Sequence, residues 1–231
     1  MTLGYRDIRR VARNILVYGL PVYALIVLGG CAGTPAPPSP VPPPGGGVTD
    51  QTEAQLLAEL NKKFENPQAH YELARLYHKS QNWNKAEYHY IRAISFDPGN
   101  KAAQAGLVKL YADRGDKAKA EQFAGSYIRD AAISVDETIK LGWEFEQLGM
   151  DDYALRCYKQ AIAAAPDSDA ANKQIGMYYL HKGDKVSAKQ YLMRSFELNP
   201  RQPEVAGELG RLGVVVQTPG IPQGPLEEKK K

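Results

Sequence analysis

Few side chains in this sequence of 231 residues have the types and spacing that would do chemistry. Its histidines match neither an HExxH helix nor another metal-binding spacing, so we predict no metal site and no cofactor, and expect all four on solvated helix faces: His70, His78, His89 and His181. There is no GxxxxGK(S/T) phosphate loop, no GxSxG elbow and no carboxylate pair in an apolar setting. The sequence therefore predicts a protein that is not an enzyme. The remaining side chains with distinctive chemistry are the thiols of Cys31 and Cys157.

Cys31 ends a segment with the layout of a secretory signal. Residues 1–13 carry four arginines and one aspartate, and the apolar run 15–30 that follows is interrupted only by Pro21. This run is shorter than the roughly 20 residues of a spanning helix and contains a proline, which disfavours a permanent anchor. Its end, Leu28-Gly29-Gly30-Cys31, resembles the lipobox of bacterial lipoprotein precursors, where an aliphatic and two small residues precede the lipidated cysteine.

The resemblance implies that residues 1–30 are a lipoprotein signal peptide and that Cys31 becomes the acylated first residue, carrying chains such as palmitate. Two acyl chains already suffice for stable membrane anchoring. Ala32 after the cysteine, in place of aspartate, implies the outer membrane and its periplasmic face. The alternative is an uncleaved anchor in the inner membrane. Cys157 is left without an intramolecular partner, and we expect it to serve as a small apolar residue.

Proline and glycine concentrate at the two ends of the chain. Seven of the 16 prolines lie between residues 35 and 44, and three glycines follow at 45–47. We expect residues 31–50 to form a Pro/Gly-rich linker that holds the folded part away from the bilayer, and residues 215–231 to be a disordered tail.

The middle of the chain repeats with a period of 34 residues. Repeats that begin at 67, 101, 135 and 169 place similar residues at equivalent positions: Leu73, Leu107, Leu141 and Ile175 at position 7; Tyr77, Tyr111, Phe145 and Tyr179 at 11; Ala86, Ala120, Ala154 and Ala188 at 20. Positions 7 and 11 share one face of a first helix, and positions 20, 24 and 27 share one face of a second. In the second repeat, Ala124 and Tyr127 exchange the usual sizes at positions 24 and 27, so its second helix is expected to be repacked or longer.

This pattern resembles the tetratricopeptide repeat (TPR), a helix-turn-helix unit. The resemblance implies an all-α TPR solenoid, wound as a right-handed superhelix, with disordered flanks. We predict an N-terminal helix in 51–66, repeats in 67–100, 101–134 (divergent), 135–168 and 169–202, and a capping helix in 203–214. The residues before the four repeats are good helix N-caps: Asn66, Asn100, Ser134 and Ser168. Gly115, Gly149 and Gly183 mark the turns between paired helices, with Gln81 at the fourth equivalent place.

In repeats of this family, the exposed positions of the first helices line a concave groove that binds peptides. The resemblance places apolar and cationic residues there: Tyr71, Arg75, Lys109, Ile139, Trp143, Lys173, Met177 and Leu180. Trp143 is the strongest candidate, because its position lies outside the core pattern and interface hot spots favour tryptophan. The alternative is that its ring packs against the first helix of the next repeat. The lysine and asparagine that bind C-terminal carboxylates in some family members are replaced by Tyr71 and Arg75, so that specificity is not implied.

The sequence thus predicts a membrane-anchored scaffold that holds an envelope protein or peptide segment, with neither nucleic acid nor a small-molecule substrate as partner. Similar lipoproteins include pilotins and the repeat lipoprotein of tight-adherence pilus systems, which favours assembly of a pilus or secretion-system complex in the outer membrane. The alternatives are a periplasmic adaptor that regulates an envelope hydrolase or peptidoglycan machinery, and an inner-membrane TPR scaffold.

The net charge of +3 belongs to the targeting segment. Residues 1–30 hold four of the 29 basic and one of the 26 acidic side chains, which leaves 25 of each in the remainder. A neutral remainder gives no general attraction for nucleic acid. We therefore expect electrostatic steering to come from local cations such as Arg75, Lys109 and Lys173.

Overall fold

The computed structural model of the chain describes residues 48–217, with side chains from Gln51 onward. This part consists of ten α-helices and contains no strand. In chain order they are α1 (Val48–Lys62), α2 (Pro67–Lys79), α3 (Trp83–Phe96), α4 (Lys101–Asp113), α5 (Lys117–Ala131), α6 (Val135–Gln147), α7 (Asp151–Ala164), α8 (Asp169–His181), α9 (Lys185–Leu198) and α10 (Pro203–Arg211). The predicted signal peptide, the lipobox with Cys31, most of the linker and most of the tail lie outside the described residues.

Helices α2 to α9 form four consecutive pairs, one pair per repeat. The two helices of a pair pack against each other most extensively, and the first helix of one repeat also packs against the first helix of the next. The predicted all-α fold of helix-turn-helix repeats is confirmed.

Each repeat begins where the cap residues predict. The amide of the third helical residue donates to the cap side chain, over 3.2 Å at Asn66, 2.9 Å at Asn100, 3.5 Å at Ser134 and 3.1 Å at Ser168. These bonds satisfy amides that have no partner within their own helix.

The turns between paired helices need a left-handed backbone. Gly115, Gly149 and Gly183 have φ of +89°, +69° and +79°. Gln81 adopts the same conformation, with φ of +57°, although its Cβ makes that region unfavourable. The same turn therefore closes all four pairs.

A row of buried polar residues at position 4 ties each repeat to the segment before it. The side chains bond to backbone carbonyls six or seven residues earlier: His70 to Phe64 at 3.0 Å, Gln104 to Pro98 at 2.7 Å, Thr138 to Ala131 at 2.9 Å and Asn172 to Pro166 at 2.9 Å. All four side chains are buried. Because four different residue types make the equivalent contact, position 4 does not stand out when the repeats are aligned by residue type.

The core runs through the paired helices in two apolar clusters. The larger extends from Leu60 of α1 to Tyr178 of α8, and the smaller joins Leu192 and Phe196 of α9 to Val205 and Leu209 of α10. α10 thus covers the apolar face of the last repeat, which would otherwise lack a neighbour.

Two helix boundaries differ from or refine the sequence expectations. α1 begins at Val48 instead of residue 51, directly after the glycines at 45–47, which disfavour a helix. α5 has 15 residues where the other second helices have 14, so the second repeat does have the longer helix that its size exchange indicates. Both Ala124 and Tyr127 are buried.

Candidate partner-binding groove

The first helices α2, α4, α6 and α8 lie side by side and carry all eight predicted groove residues. Arg75 and Trp143 are exposed, and the other six side chains are half-buried. Trp143 is 46% exposed, and its indole makes no hydrogen bond or ring contact with any described residue. A large aromatic surface is thus open to solvent at the middle of the row.

The first repeat contributes an aromatic and cationic group to this surface. The Arg75 guanidinium carbon lies 5.6 Å from the centre of the Tyr71 ring, and its nitrogen lies 3.1 Å from the Glu72 carboxylate. The Tyr71 ring in turn is 6.3 Å from that of Tyr90. Burial raises the pKa of Tyr71, so this phenol stays neutral and offers a ring face and a hydroxyl.

The cations of the groove are not free, contrary to the expectation that they form attractive patches. Arg75 pairs with Glu72, Lys109 pairs with Asp113 four residues on, and Lys173 lies 3.6 Å from Glu204 of α10. Exposed or half-exposed pairs of this kind contribute little stability, but they cancel the local charge. Polar and apolar residues therefore alternate along the groove, and these three cations do not create a strong positive field.

Two tyrosines at position 24 reach the groove from the second helices. The Tyr90 hydroxyl lies 3.3 Å from His78 Nδ1, and His78 Nε2 lies 3.1 Å from Asp113 of the next repeat. In the third repeat, the Tyr158 hydroxyl donates to Glu146 over 2.7 Å, and Glu146 also lies 2.9 Å from His181. Burial raises the pKa of both tyrosines. Equivalent residues two repeats, or 68 positions, apart thus build similar bridges, which the sequence analysis did not identify.

Met177, at the far end of the row, also packs against the C-terminal apolar cluster of α9 and α10. Part of its surface therefore serves the core. Trp83, at the first turn, packs against the larger cluster, and its ring centre lies 5.7 Å from that of His78.

The expectation that all four histidines lie on solvated faces is wrong for two of them. His70 and His89 are buried, and their Nδ1 atoms lie 2.9 Å apart. Because His70 Nε2 donates to the Phe64 carbonyl, the neutral ring accepts at Nδ1 from the Nδ1 proton of His89. Burial lowers the pKa of His70, and burial, with smaller contributions from the neighbouring His70 and Lys85, lowers that of His89 to about 4. The partner of each ring comes from another helix, so the sequence of one helix does not reveal its burial.

Comparison with known proteins agrees with this geometry. Two segments, 67–100 and 173–202, match family models of the tetratricopeptide repeat. Residues 67–202 form a tetratricopeptide-repeat solenoid. A search of curated protein sequences finds no match to the chain.

Solved TPR-containing structures are similar to this chain at low identity. Pseudomonas aeruginosa PilF is 20% identical over 63% of this chain and 67% of its own, with a TM-score of 0.36. TTC0263, a thermophilic TPR protein in Thermus thermophilus, is 19% identical over 71% and 90%, with a TM-score of 0.38. YrrB, a TPR protein with an unusual peptide-binding site, is 18% identical over 68% and 81%, with a TM-score of 0.36.

The described residues of the TPR solenoid include neither a metal-ligand cluster nor a membrane-spanning helix. Between residues 51 and 217, no three potential metal ligands come together. No helix in the described part is long and apolar enough to cross a membrane. Its contact chemistry is that of a surface that binds peptide or protein partners, as TPR repeats do.

Proposed function

We propose that this TPR protein is a lipid-anchored scaffold of the bacterial envelope that holds a partner protein in the groove of its first helices. TPR repeats act as protein-protein interaction scaffolds, and the proposal adds the location, the surface and the pathway. The predicted partner is a protein or peptide segment, and the proposed role involves no catalysis.

The exposed indole of Trp143 supports the groove as the binding surface. A ring of this size at 46% exposure, with no contact to neighbouring aromatic rings, is the type of residue that dominates interface energies. Ile139, four residues before Trp143 on α6, and Tyr71 on α2 provide further half-buried apolar surface.

Photocrosslinking from position 143 in living cells tests the groove. A photoreactive amino acid there should capture one partner, which mass spectrometry then identifies. The matched control position is Val186 on α9, an apolar residue that is 82% exposed and lies on a second helix. Equal capture from both positions, or capture from 186 alone, would move the interface away from the groove.

The lipobox supports the location. Palmitate labelling should be lost in Cys31→Ser and kept in Cys157→Ala, and globomycin should block processing of the precursor. Retained labelling in Cys31→Ser would contradict lipidation at this residue. Unprocessed, unlabelled protein in the inner membrane would indicate the uncleaved anchor instead.

Assembly of a pilus or secretion-system complex in the outer membrane is the pathway we favour, because the combination of lipobox and TPR repeats resembles lipoproteins with that role. A deletion strain should then lose multimers of the secretin, the outer-membrane channel of such systems. Intact multimers with altered cell-wall turnover would point to the periplasmic adaptor.

A further inference from the structure

Glu144 occupies a repeat position that is apolar elsewhere. Position 10 of the other repeats holds Leu76, Leu110 and Tyr178, and the last two are buried. The Glu144 side chain is half-buried, yet no described residue donates a hydrogen bond to its carboxylate or pairs with it. Every other acidic side chain between 51 and 217 that lacks such a partner is exposed. A carboxylate that is partly shielded from water without a partner costs free energy.

The missing partner follows from the divergence of the second repeat. Between the third and fourth repeats, Tyr158 at position 24 contacts Tyr178 at position 10, with ring centres 5.6 Å apart. The same two positions between the second and third repeats hold Ala124 and Glu144. Position 12, which bonds the tyrosine hydroxyl in the first and third repeats, is Ala112 in the second. Neither a tyrosine at position 24 nor a polar residue at position 12 is therefore available to Glu144.

Nearby cations do not replace that partner. Four cations of the three first helices α2, α4 and α6 are held by other carboxylates: Arg75 by Glu72 at 3.1 Å, Lys109 by Asp113, and both Lys101 and Lys140 by Glu137, at 3.3 Å and 2.9 Å. Lys79, at the end of α2, is exposed and makes no ion pair with Glu144. Glu144 is thus the one half-buried negative charge of this surface that no described residue neutralises.

Aromatic groups flank this carboxylate. Trp143 precedes it in α6 and is exposed. Tyr71 lies on α2, on the other side of α4, which packs against both α2 and α6. Burial is the main cause of the raised pKa of Tyr71, and the negative charge of Glu144 contributes to it. Aromatic faces beside a carboxylate suit a long cationic side chain, because the rings contact its alkyl stem or its charge.

We propose that Glu144 is the anchor of a subsite, between the second and third repeats, for a lysine or arginine side chain of the partner segment bound in the groove. The inference rests on the proposed groove function and specifies the partner's chemistry. The cation supplies the charge-assisted bond that the chain itself lacks at this place. Hydrophobic contact with Trp143 and Tyr71 then holds the stem of the same side chain or its neighbours.

Selection from a random library of phage-displayed 12-residue peptides tests this subsite, with the full chain held in nanodiscs. The wild type should enrich peptides with a lysine or arginine at one common place. Glu144→Gln should bind the selected peptides about tenfold more weakly. Glu144→Lys should select aspartate or glutamate at that place. The control is Asp130→Asn, which removes an exposed acid of α5 that also lacks an ion-pair partner, and should bind as the wild type does.

Four results would overturn the subsite. The first two are selected peptides without a common cation and undiminished affinity in Glu144→Gln. If peptide binding still depends on Trp143 in either case, the groove function stands and only the subsite is refuted. Enrichment of no peptide at all would contradict both proposals. If Glu144→Gln fails to fold, replacing the common lysine of a selected peptide by norleucine must weaken its binding to the wild type about tenfold, and an unchanged affinity would refute the subsite.

Discussion

At the scale of single residues, the buried His70 and His89 pair makes stability depend on pH. Each ring is neutral in the folded protein, because its pKa is lowered, that of His89 to about 4. Protonation of His70 at Nδ1 would set two donors face to face. The charge of Arg92 also opposes protonation of His70, and that of Lys85 opposes protonation of His89. Tyr77, stacked on His89 at 5.5 Å between ring centres, also stays neutral, since burial raises its pKa to about 12.

The free energy of unfolding should therefore fall as the medium becomes acidic. A histidine with a lowered folded-state pKa stabilises the fold fully above its unfolded value near 6.5 and loses that contribution as the pH falls towards 4. We expect a loss of about 2 kcal/mol from this pair between pH 7.5 and pH 5, measured by urea unfolding.

The second repeat supplies the matched control for this pair. Its equivalent residues are Gln104, which makes the same backbone contact, and Phe123. The double variant His70→Gln, His89→Phe should lose about 2 kcal/mol less than the wild type over the same pH interval. Equal losses in both proteins would show that the pair does not control acid stability.

At the scale of helices and turns, Gln81 is the residue that fits its backbone least well. Gln81→Gly should stabilise the fold by about 1 kcal/mol, because glycine adopts a positive φ without strain. Chemical denaturation of both proteins measures the change. The reverse exchange is the control: a Cβ at Gly149 meets nothing within 4 Å, so Gly149→Gln should destabilise through the backbone alone, by about 1 to 2 kcal/mol. A destabilised Gln81→Gly would indicate that the glutamine side chain makes an important contact.

The close approach of paired helices makes a second prediction at this scale. A Cβ at Gly142 would lie 2.7 Å from the Tyr158 ring and 2.9 Å from Cys157 Cβ. Gly142→Ala should destabilise the fold by roughly 1 to 3 kcal/mol. At Gly125 of α5 a Cβ meets only the flexible end of Arg129 at 3.4 Å, so Gly125→Ala should gain about 1 kcal/mol from helix propensity. Thermal unfolding of both variants distinguishes packing from propensity, and losses of equal size would contradict this account.

Features set by one residue and its immediate neighbours could be predicted from the sequence. Ser134 caps α6 through its own hydroxyl, and Gly115 turns the chain through its own backbone, so the type of residue suffices. The burial of His70 and the isolation of Glu144 depend on which side chain faces them from another helix. Such burial depends on pairs of residues on different helices, such as His70 and His89. The periodicity of the sequence does not predict which residues form these pairs.

At the scale of the whole molecule, the described part is a row of units that each contact their neighbours. The solenoid ends differ: Leu60 of α1 contributes to the larger apolar cluster, whereas α10 shares the smaller one with α9. Stability in such a stack is close to a sum of repeat and interface contributions, so local opening is not the same along the chain. The groove crosses the middle interfaces, where a partner segment that touches several first helices would resist such opening.

Cys157 makes that local opening measurable without an introduced cysteine. Its side chain is fully buried in the third repeat, and burial raises the pKa of the thiol to about 12, so a maleimide finds no reactive thiolate there while the helices are closed. The labelling rate of this thiol should therefore count how often α6 and α7 separate. A bound partner segment should slow it by the same factor by which it stabilises that interface, and labelling as fast as that of an unfolded peptide would contradict the burial. The labelling rate of Cys157 thus reports how often the third repeat opens, with and without a bound partner.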